Sequence, residues 1–166
     1  MLSLRIARLA PLIVLASASA ATPLAVPSAD PMRFFVGRTE SVGRVKVMFQ
    51  KDYTTRSTGV GRIEPDGSLL LVQQVADDGK APQERRWHIR QVAPGRYAGT
   101  MTEADGPVAI ERVGDQYRFR FAMHGKLNVE QFMAPLPGGK VGSSSAKVRK
   151  FGLVVATTSG IIRRIA

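Results

Sequence analysis

The seven residues Tyr117–Met123 (Tyr-Arg-Phe-Arg-Phe-Ala-Met) alternate large apolar side chains with basic or small ones. Successive side chains of a β-strand point to opposite faces, so a strand here turns Arg118 and Arg120 to solvent. The opposite face then carries three aromatic rings and a methionine, namely Tyr117, Phe119, Phe121 and Met123. The alternation stops at His124-Gly125-Lys126 and restarts at Leu127, which is typical of a β-hairpin.

Similar short runs, separated by turn signals such as Glu64-Pro65-Asp66-Gly67 and Pro94-Gly95, fill the chain from Phe34 onward. No stretch shows the i, i+3, i+4, i+7 pattern of an amphipathic helix. The predicted strands are Arg44–Gln50, Thr54–Ile63, Ser68–Ala76, Glu84–Val92, Arg96–Thr102, Val108–Val113, Tyr117–Met123 and Leu127–Met133, with a last apolar strand or bent strand pair over Phe151–Ile165. In the first of them Phe49 shares a face with Val45 and Val47.

Three places in this pattern are less regular. Gly59 and Gly61 interrupt one strand, where we expect a bend or a bulge. The inward face is not fixed over 69–75 or over 127–133, and a bulge is expected within the second of these segments because Phe132 is out of phase with Leu127. The polar, serine-rich segment 140–149 is left without an assigned structure.

Short antiparallel strands without a crossover helix predict an all-β meander, closed into a barrel or folded into a two-sheet sandwich. We favour a barrel of roughly eight to ten strands, because closing the sheet removes exposed strand edges. The interior of such a barrel is either filled by side chains or holds one small ligand.

The N-terminus has the pattern of a signal peptide over residues 1–20, with Arg5 and Arg8 before the apolar run Leu9–Leu15 and small residues at Ala18-Ser19-Ala20. The alternative is a retained membrane anchor, although the apolar run is shorter than the roughly 20 residues that span a bilayer. A proline-rich linker over 21–33 and one domain over 34–166 complete the predicted organisation. We therefore expect a periplasmic or secreted protein.

The chain is basic and contains no cysteine. Its 24 Lys and Arg against 13 Asp and Glu give a net charge of +11, which favours polyanions such as anionic lipid head groups, lipopolysaccharide or nucleic acid. The basic residues are dispersed between apolar positions, which is typical of a solvated outer face and argues against a nucleic-acid groove. The lack of cysteine excludes disulfides, thiol catalysis, Cys-based zinc sites and a thioether lipid anchor.

Several fragments together resemble the domain-of-unknown-function 3833 family, in their order and spacing from Phe34 to the C-terminus. They are Phe35-Val36-Gly37-Arg38-Thr39, Asp66-Gly67, Arg86-Trp87-His88-Ile89, Tyr97-Ala98-Gly99, Phe132-Met133 and Lys150-Phe151-Gly152. The resemblance implies a bacterial envelope protein, often a lipoprotein, with a lipocalin-like β-barrel. This chain departs from the family in lacking the lipid-anchor Cys and in having Gly142-Ser143-Ser144-Ser145 where the family tends to have an Asn.

Catalytic motifs are absent: the sequence has no Gly-x-Ser-x-Gly elbow, no His-Glu-x-x-His and no metal-ligand spacing. Ser144, His88 and Glu103 provide the residue types of a triad, but only geometry defines one. His124, at a strand end, is by default a turn residue. Glu103 and Asp105 lie near one another as the paired carboxylates of glycoside chemistry would, but they stand at a Gly-Pro turn, where solvated side chains are the default. We expect no catalytic residue, no metal site and no cofactor, and keep an enzyme at the barrel mouth as a third hypothesis.

The first hypothesis is a non-catalytic envelope β-barrel that binds a lipid or another amphipathic ligand. Its apolar part would contact interior side chains, namely Phe49, Trp87, Tyr97, Met101, Tyr117, Phe119, Phe121 and Met123. Its head group would contact arginines at the rim, with Arg86, Arg118 and Arg120 as candidates. The alternative is an accessory protein with a filled barrel, which docks on an anionic membrane surface or a protein partner.

Overall fold

A computed structural model of the protein describes residues 30–165, and the alternating segments of the sequence form ten β-strands there. One short helix, α1, precedes them at Pro31–Phe34. The strands are β1 Gly37–Val47, β2 Tyr53–Ile63, β3 Leu69–Asp77, β4 Gln83–Ala93, β5 Arg96–Met101, β6 Val108–Val113, β7 Gln116–Met123, β8 Leu127–Pro135, β9 Val141–Lys150 and β10 Leu153–Ile165. The predicted signal peptide, at 1–20, and most of the predicted linker lie outside the described residues.

The ten strands form a closed antiparallel barrel. Each strand pairs with the next one along the chain, and β10 returns to pair with β1, with Gly43 opposite Gly160. Closure leaves no free sheet edge among these strands. The predicted all-β meander barrel is therefore confirmed, and the aromatic strand β7 forms part of its wall.

The start of the barrel differs from the prediction at both ends of β1. The strand begins at Gly37 instead of Arg44, and it ends at Val47, where the amide of Gln50 donates to the Val47 carbonyl at 3.1 Å and closes a turn. Phe49 lies in that turn with φ of 61° and is 98% exposed. The prediction that Phe49 lines the interior is wrong, because the chain has left the sheet before it.

The chain over β8 and β9 is more regular than predicted, whereas the pairing of β9 with β10 shifts register between Val154 and Ala156. β8 keeps an unbroken register with β7 and β9, so the bulge expected within 127–133 is absent and Phe132 points outward. The serine-rich segment forms β9, in which small residues such as Gly142 and Ala146 face the interior. Because alternation of small side chains carries little hydrophobic signal, this strand is difficult to detect from the sequence.

Helix α1 closes one end of the barrel. Asp30 caps it by accepting a hydrogen bond from the amide of Met32 at 3.0 Å, and Met32, Phe34 and Phe35 are buried in the core. The rings of Phe34 and Phe35 meet edge to face, with centroids 5.3 Å apart. Met32 belongs to the core, so the linker predicted over 21–33 does not extend that far. Within residues 30–165, no helix has the length and apolar character to cross a bilayer.

Gly59 and Gly61 allow other groups to approach β2 instead of bending it. The register of β2 runs through both glycines without a shift on either side, so the expected bulge is absent. A Cβ atom on Gly61 would overlap the backbone carbonyl of Phe35, and one on Gly59 would lie 2.8 Å from Thr39 Oγ1. The two glycines therefore make room for the segment that leads from α1 into β1.

Candidate functional site

One inner wall of the barrel is aromatic. Trp87 on β4 meets Phe119 and Phe121 on β7 edge to face, with centroid separations of 6.3 and 5.8 Å. All three side chains are buried. The indole N–H of Trp87 donates to Gln73 Oε1 at 2.8 Å, which fixes the ring orientation without leaving a buried donor unpaired.

Two tyrosines continue this wall towards the closed end. The rings of Tyr97 and Tyr117 lie 6.2 Å apart, and the Tyr97 hydroxyl donates to Asp30 Oδ1 at 3.2 Å. Burial raises the pKa of Tyr97 well above its ordinary value, and the neighbouring Asp30 carboxylate raises it further. The hydroxyl therefore connects the barrel wall to the helix cap that closes this end.

This raised pKa predicts a loss of stability in alkali. The folded state keeps Tyr97 protonated, whereas tyrosine in the unfolded chain ionises near pH 10. The contribution to the free energy of unfolding is therefore complete below about pH 10 and falls by about 1.4 kcal/mol per pH unit above it. Urea unfolding across this range should show a shallower decline for Tyr97→Phe than for the wild type. Equal slopes in the two proteins would contradict the assignment.

The opposite inner wall carries many small and polar residues, although the apolar side chains of Val45, Val148 and Ile162 also face it. Ser41, Ser57, Ser144, Thr158 and Gly160 face the interior on β1, β2, β9 and β10 by strand phase, yet each is only half-buried. The Ser41 and Ser57 hydroxyls share a hydrogen bond at 2.7 Å, and Gln131 donates to Ser144 Oγ at 2.9 Å. These residues are therefore more accessible to solvent than the aromatic wall. Within residues 30–165 the only helix, α1, packs at one end of the barrel, and we call the other end the open end.

An ion pair lies at that open end. Arg85 is in phase with Trp87 on β4, and Glu103 follows β5 in the phase of Met101, so both side chains are directed to the inner rim. The Nε atom of Arg85 contacts the two carboxylate oxygens of Glu103 at 3.0 and 2.9 Å. The side chains are only 29% and 24% exposed. Sequence reasoning missed Arg85 as a site residue, although its phase with Trp87 could have identified it.

The structure brings most of the predicted interior residues together. The side chains of Trp87, Tyr97, Met101, Tyr117, Phe119 and Phe121 are buried inside the barrel, and Met123 is half-buried near the open end. Phe49 is the exception, in the exposed turn after β1. The aromatic and methionine cluster is therefore real, and its role in binding a ligand stays a prediction.

The predicted head-group arginines lie on the outer surface of the barrel. Arg86 donates to Glu84 at 2.6 Å, and Arg118 and Arg120 both contact the carboxylate of Glu111, the latter at 3.1 Å. The hydrogen bond from Arg118 holds the pKa of Glu111 below its usual value. These arginines are held by acidic neighbours on the outer surface, so none of them faces the aromatic interior.

The residues that could form a triad on paper are held by other partners. Ser144 bonds Gln131, Glu103 pairs with Arg85, and the His88 ring lies 2.8 Å from the Ser68 hydroxyl. Ser68 is itself bonded to Asp66 and is only 2% exposed, which makes it inaccessible as a nucleophile. The part of the chain that the structure describes contains no cluster of three or more His, Asp or Glu side chains that could hold a metal ion.

Solved structures share this fold at low sequence identity. An S-type phycobiliprotein lyase from Guillardia theta matches with a TM-score of 0.61 and 7% identity, covering 81% of this chain and 91% of that one. Rv2717c from M. tuberculosis matches with a TM-score of 0.60 and 13% identity, over 85% and 99% of the two chains. A protein of unknown function of the DUF3598 family from Nostoc punctiforme matches with a TM-score of 0.61 and 10% identity; the match covers 88% of this chain and 53% of that one.

The sequence itself assigns the chain to a family. No curated protein matches it. The family described as "Protein of unknown function (DUF3833)" matches residues 16–164, which is most of the chain. The match includes the whole barrel from β1 to within one residue of the end of β10. The chain therefore belongs to the DUF3833 family.

Proposed function

We propose that the protein binds an amphipathic small molecule, such as a long-chain carboxylate lipid, inside its barrel and without catalysis. The observation that carries the proposal is the contrast between the two inner walls. The wall around Trp87 and Phe121 is aromatic and buried, whereas the wall around Ser41 and Ser57 carries more small and polar side chains and is more exposed. A flexible apolar chain could displace water from the small-residue wall and pack against the rings.

Arg85 is the residue best placed to contact a polar head group. It lies at the inner rim, directly above the aromatic wall, and only its Nε atom is used in the contact with Glu103. Its two outer nitrogens remain available as donors and match the geometry of a carboxylate or phosphate. A ligand with an anionic head and an apolar tail would therefore bind with its tail inside the barrel and its head group at the rim.

The proposal also covers where the protein acts and whether it catalyses a reaction. The signal-peptide pattern of residues 1–20 supports action in the periplasm or outside the cell. The separate partners of Ser144, His88 and Glu103 support a binding role over a catalytic one. An accessory protein with a filled barrel is the competing function, and it differs from the proposal in a measurable way because a filled barrel takes up no ligand.

Trp87 provides the readout, since it is the only tryptophan of the chain and lies in the proposed site. Native mass spectrometry of the protein purified from its own envelope, followed by organic extraction, should show a bound amphiphile. The emptied protein should then change its tryptophan fluorescence on titration with a fatty acid, with saturation in the micromolar range. A mass without ligand and unchanged fluorescence with fatty acids and phospholipids would refute the proposal and favour the accessory role.

The adjacent Arg85 and Arg86 give a matched test of the head-group contact, because one faces the interior and the other faces solvent. Arg85→Gln should weaken binding of a fatty acid roughly tenfold, the usual effect of losing one charge-assisted hydrogen bond. Binding of the corresponding fatty alcohol should change little. Arg86→Gln should leave both affinities unchanged, and Glu103→Gln should strengthen fatty-acid binding by removing a competing carboxylate.

These affinities are read from the Trp87 titration. Equal losses for the acid and the alcohol in Arg85→Gln would assign Arg85 a structural role. A larger loss in Arg86→Gln than in Arg85→Gln would place the head group on the outer surface.

A further inference from the structure

Large apolar side chains are exposed at the tips of two hairpins at the open end of the barrel. In the β1–β2 turn Phe49 is 98% exposed, and Met48 before it is 45% exposed. At the β9–β10 turn Phe151 is 77% exposed and Leu153 is 68% exposed. Rings in such a position contribute nothing to the core, so their exposure calls for another explanation.

The two turns are neighbours in space, because β1 and β10 are the strands that close the barrel. Val47, the last residue of β1, pairs with Ala156, and the amide of Met48 donates to the Val155 carbonyl at 2.9 Å. The residues that follow Val47 therefore run beside the start of β10. We call the four exposed side chains the apolar tip; they are Met48, Phe49, Phe151 and Leu153.

The backbone holds both phenyl rings in an unfavourable conformation. Phe49 has φ of 61° and Phe151 has φ of 50°, a left-handed region that favours glycine and is costly for a bulky residue. Glycine at either position would relieve this strain, as Gly152 does next to Phe151 with φ of 83°. Aromatic residues at two strained and strongly exposed positions are more consistent with a binding role than with stability.

Basic side chains surround the apolar tip. Lys46, Lys51 and Lys150 flank it along the chain, and among residues 30–165 none of the three has an acidic partner. The Lys150 ammonium lies 5.8 Å from the centre of the Phe151 ring. The nearest acidic residue in the sequence, Asp52, is held by Arg44 at 3.0 Å. The charge around the exposed rings is therefore positive.

The closed end of the barrel, where α1 packs, differs from the open end in the exposure and type of its apolar side chains. Its exposed apolar residues are aliphatic, occur one to a hairpin and are 41–55% exposed; they are Ile63, Val92, Val113 and Leu136. Single exposed aliphatic residues are ordinary on protein surfaces. Within residues 30–165, only the open end combines strongly exposed aromatic rings on adjacent turns with lysines that have no acidic partner.

We propose that the apolar tip docks on the surface of an anionic lipid bilayer. The two phenyl rings enter the boundary between head groups and acyl chains, and Lys46, Lys51 and Lys150 contact lipid phosphates. A bilayer suits this surface better than a protein does, because four side chains form a small patch for a specific protein interface and the lysines beside them complement anionic head groups. The proposal is independent of the interior ligand, although docking would hold the open end of the barrel against the membrane.

Flotation with lipid vesicles tests this docking. Wild-type protein should float with vesicles of phosphatidylcholine containing about 30 mol % phosphatidylglycerol and should bind pure phosphatidylcholine much less. The double variant Phe49→Gly/Phe151→Gly should reduce the bound fraction roughly tenfold. Glycine suits the left-handed backbone at both positions, so this variant should fold at least as well as the wild type. The variants share residues 1–29 with the wild type, so any contribution of that segment cancels.

Two further double variants separate the contribution of the lysines from that of the exposed rings. Lys51→Glu/Lys150→Glu should abolish the preference for anionic vesicles, whereas Val92→Ser/Val113→Ser at the closed end should bind like the wild type. Undiminished binding by the double glycine variant would overturn the proposal. It would also be overturned if the wild type ignored both vesicles and formed dimers that the glycine variant does not form, since a second copy would then cover the tip. The tryptophan titration is unaffected by either result, so failure of docking is distinguishable from failure of ligand binding.

Discussion

Gly61→Ala is expected to destabilise the protein by about 3 kcal/mol or more. Gly61 is buried in β2, and a Cβ atom there would overlap the carbonyl oxygen of Phe35 and lie 2.9 Å from its carbonyl carbon. Both partners are backbone, so neither can rotate away as a flexible side chain would. Because a domain of this size is stable by only about 5–15 kcal/mol, the midpoint of urea unfolding should fall sharply.

Gly43→Ala is the matched control. Gly43 also faces the interior from a strand without a positive φ, but its added Cβ would be 3.1 Å from the Ser159 carbonyl oxygen and 3.5 Å from a methyl group of Thr55. A shift of a few tenths of an ångström accommodates it, and alanine lowers the entropy of the unfolded chain, so the net change should be within about 1 kcal/mol. Similar losses in the two variants would show that the segment after α1 can move away from β2.

The sequence predicts the fold because the barrel depends on features that alternation and turn signals report directly. Tyr117–Met123 keeps its phase throughout β7, and the turns at Asp66-Gly67 and Pro94-Gly95 fall between strands as expected. Closure of the barrel follows from the number of strands and the need to cover edges. β9 was missed because its inward face is made of small residues, which fill a barrel without leaving a hydrophobic pattern.

The sequence predicts the site only in part, because alternation gives the face of each side chain and not its partners. Phase identifies which side chains point inward, and it placed Trp87 and Phe121 together correctly. The same phase includes Arg85, but alternation alone gives no reason to expect a charged side chain on the inward face, and the predicted contact is the outward Arg86. The prediction for Phe49 is wrong because alternation cannot show where a strand ends. In β1 the end is set by a turn that begins at Val47. Glu103, the partner of Arg85, follows a different strand, so their contact is visible only in the three-dimensional structure.

Ser41→Phe is expected to weaken ligand binding strongly while leaving the barrel folded. Ser41 faces the interior on the small-residue wall, where its hydroxyl shares a hydrogen bond with that of Ser57, so a phenyl ring there occupies the space proposed for the apolar chain. Fatty-acid affinity in the Trp87 titration should fall roughly a hundredfold, because about 3 kcal/mol of apolar contact is lost. Val42→Phe adds the same ring to the adjacent outward position, which is 50% exposed, and should bind like the wild type. Equal melting temperatures would show that both variants are folded. Wild-type affinity in Ser41→Phe would place the ligand outside the barrel, whereas equal losses in the two variants would show that the titration responds to surface hydrophobicity alone.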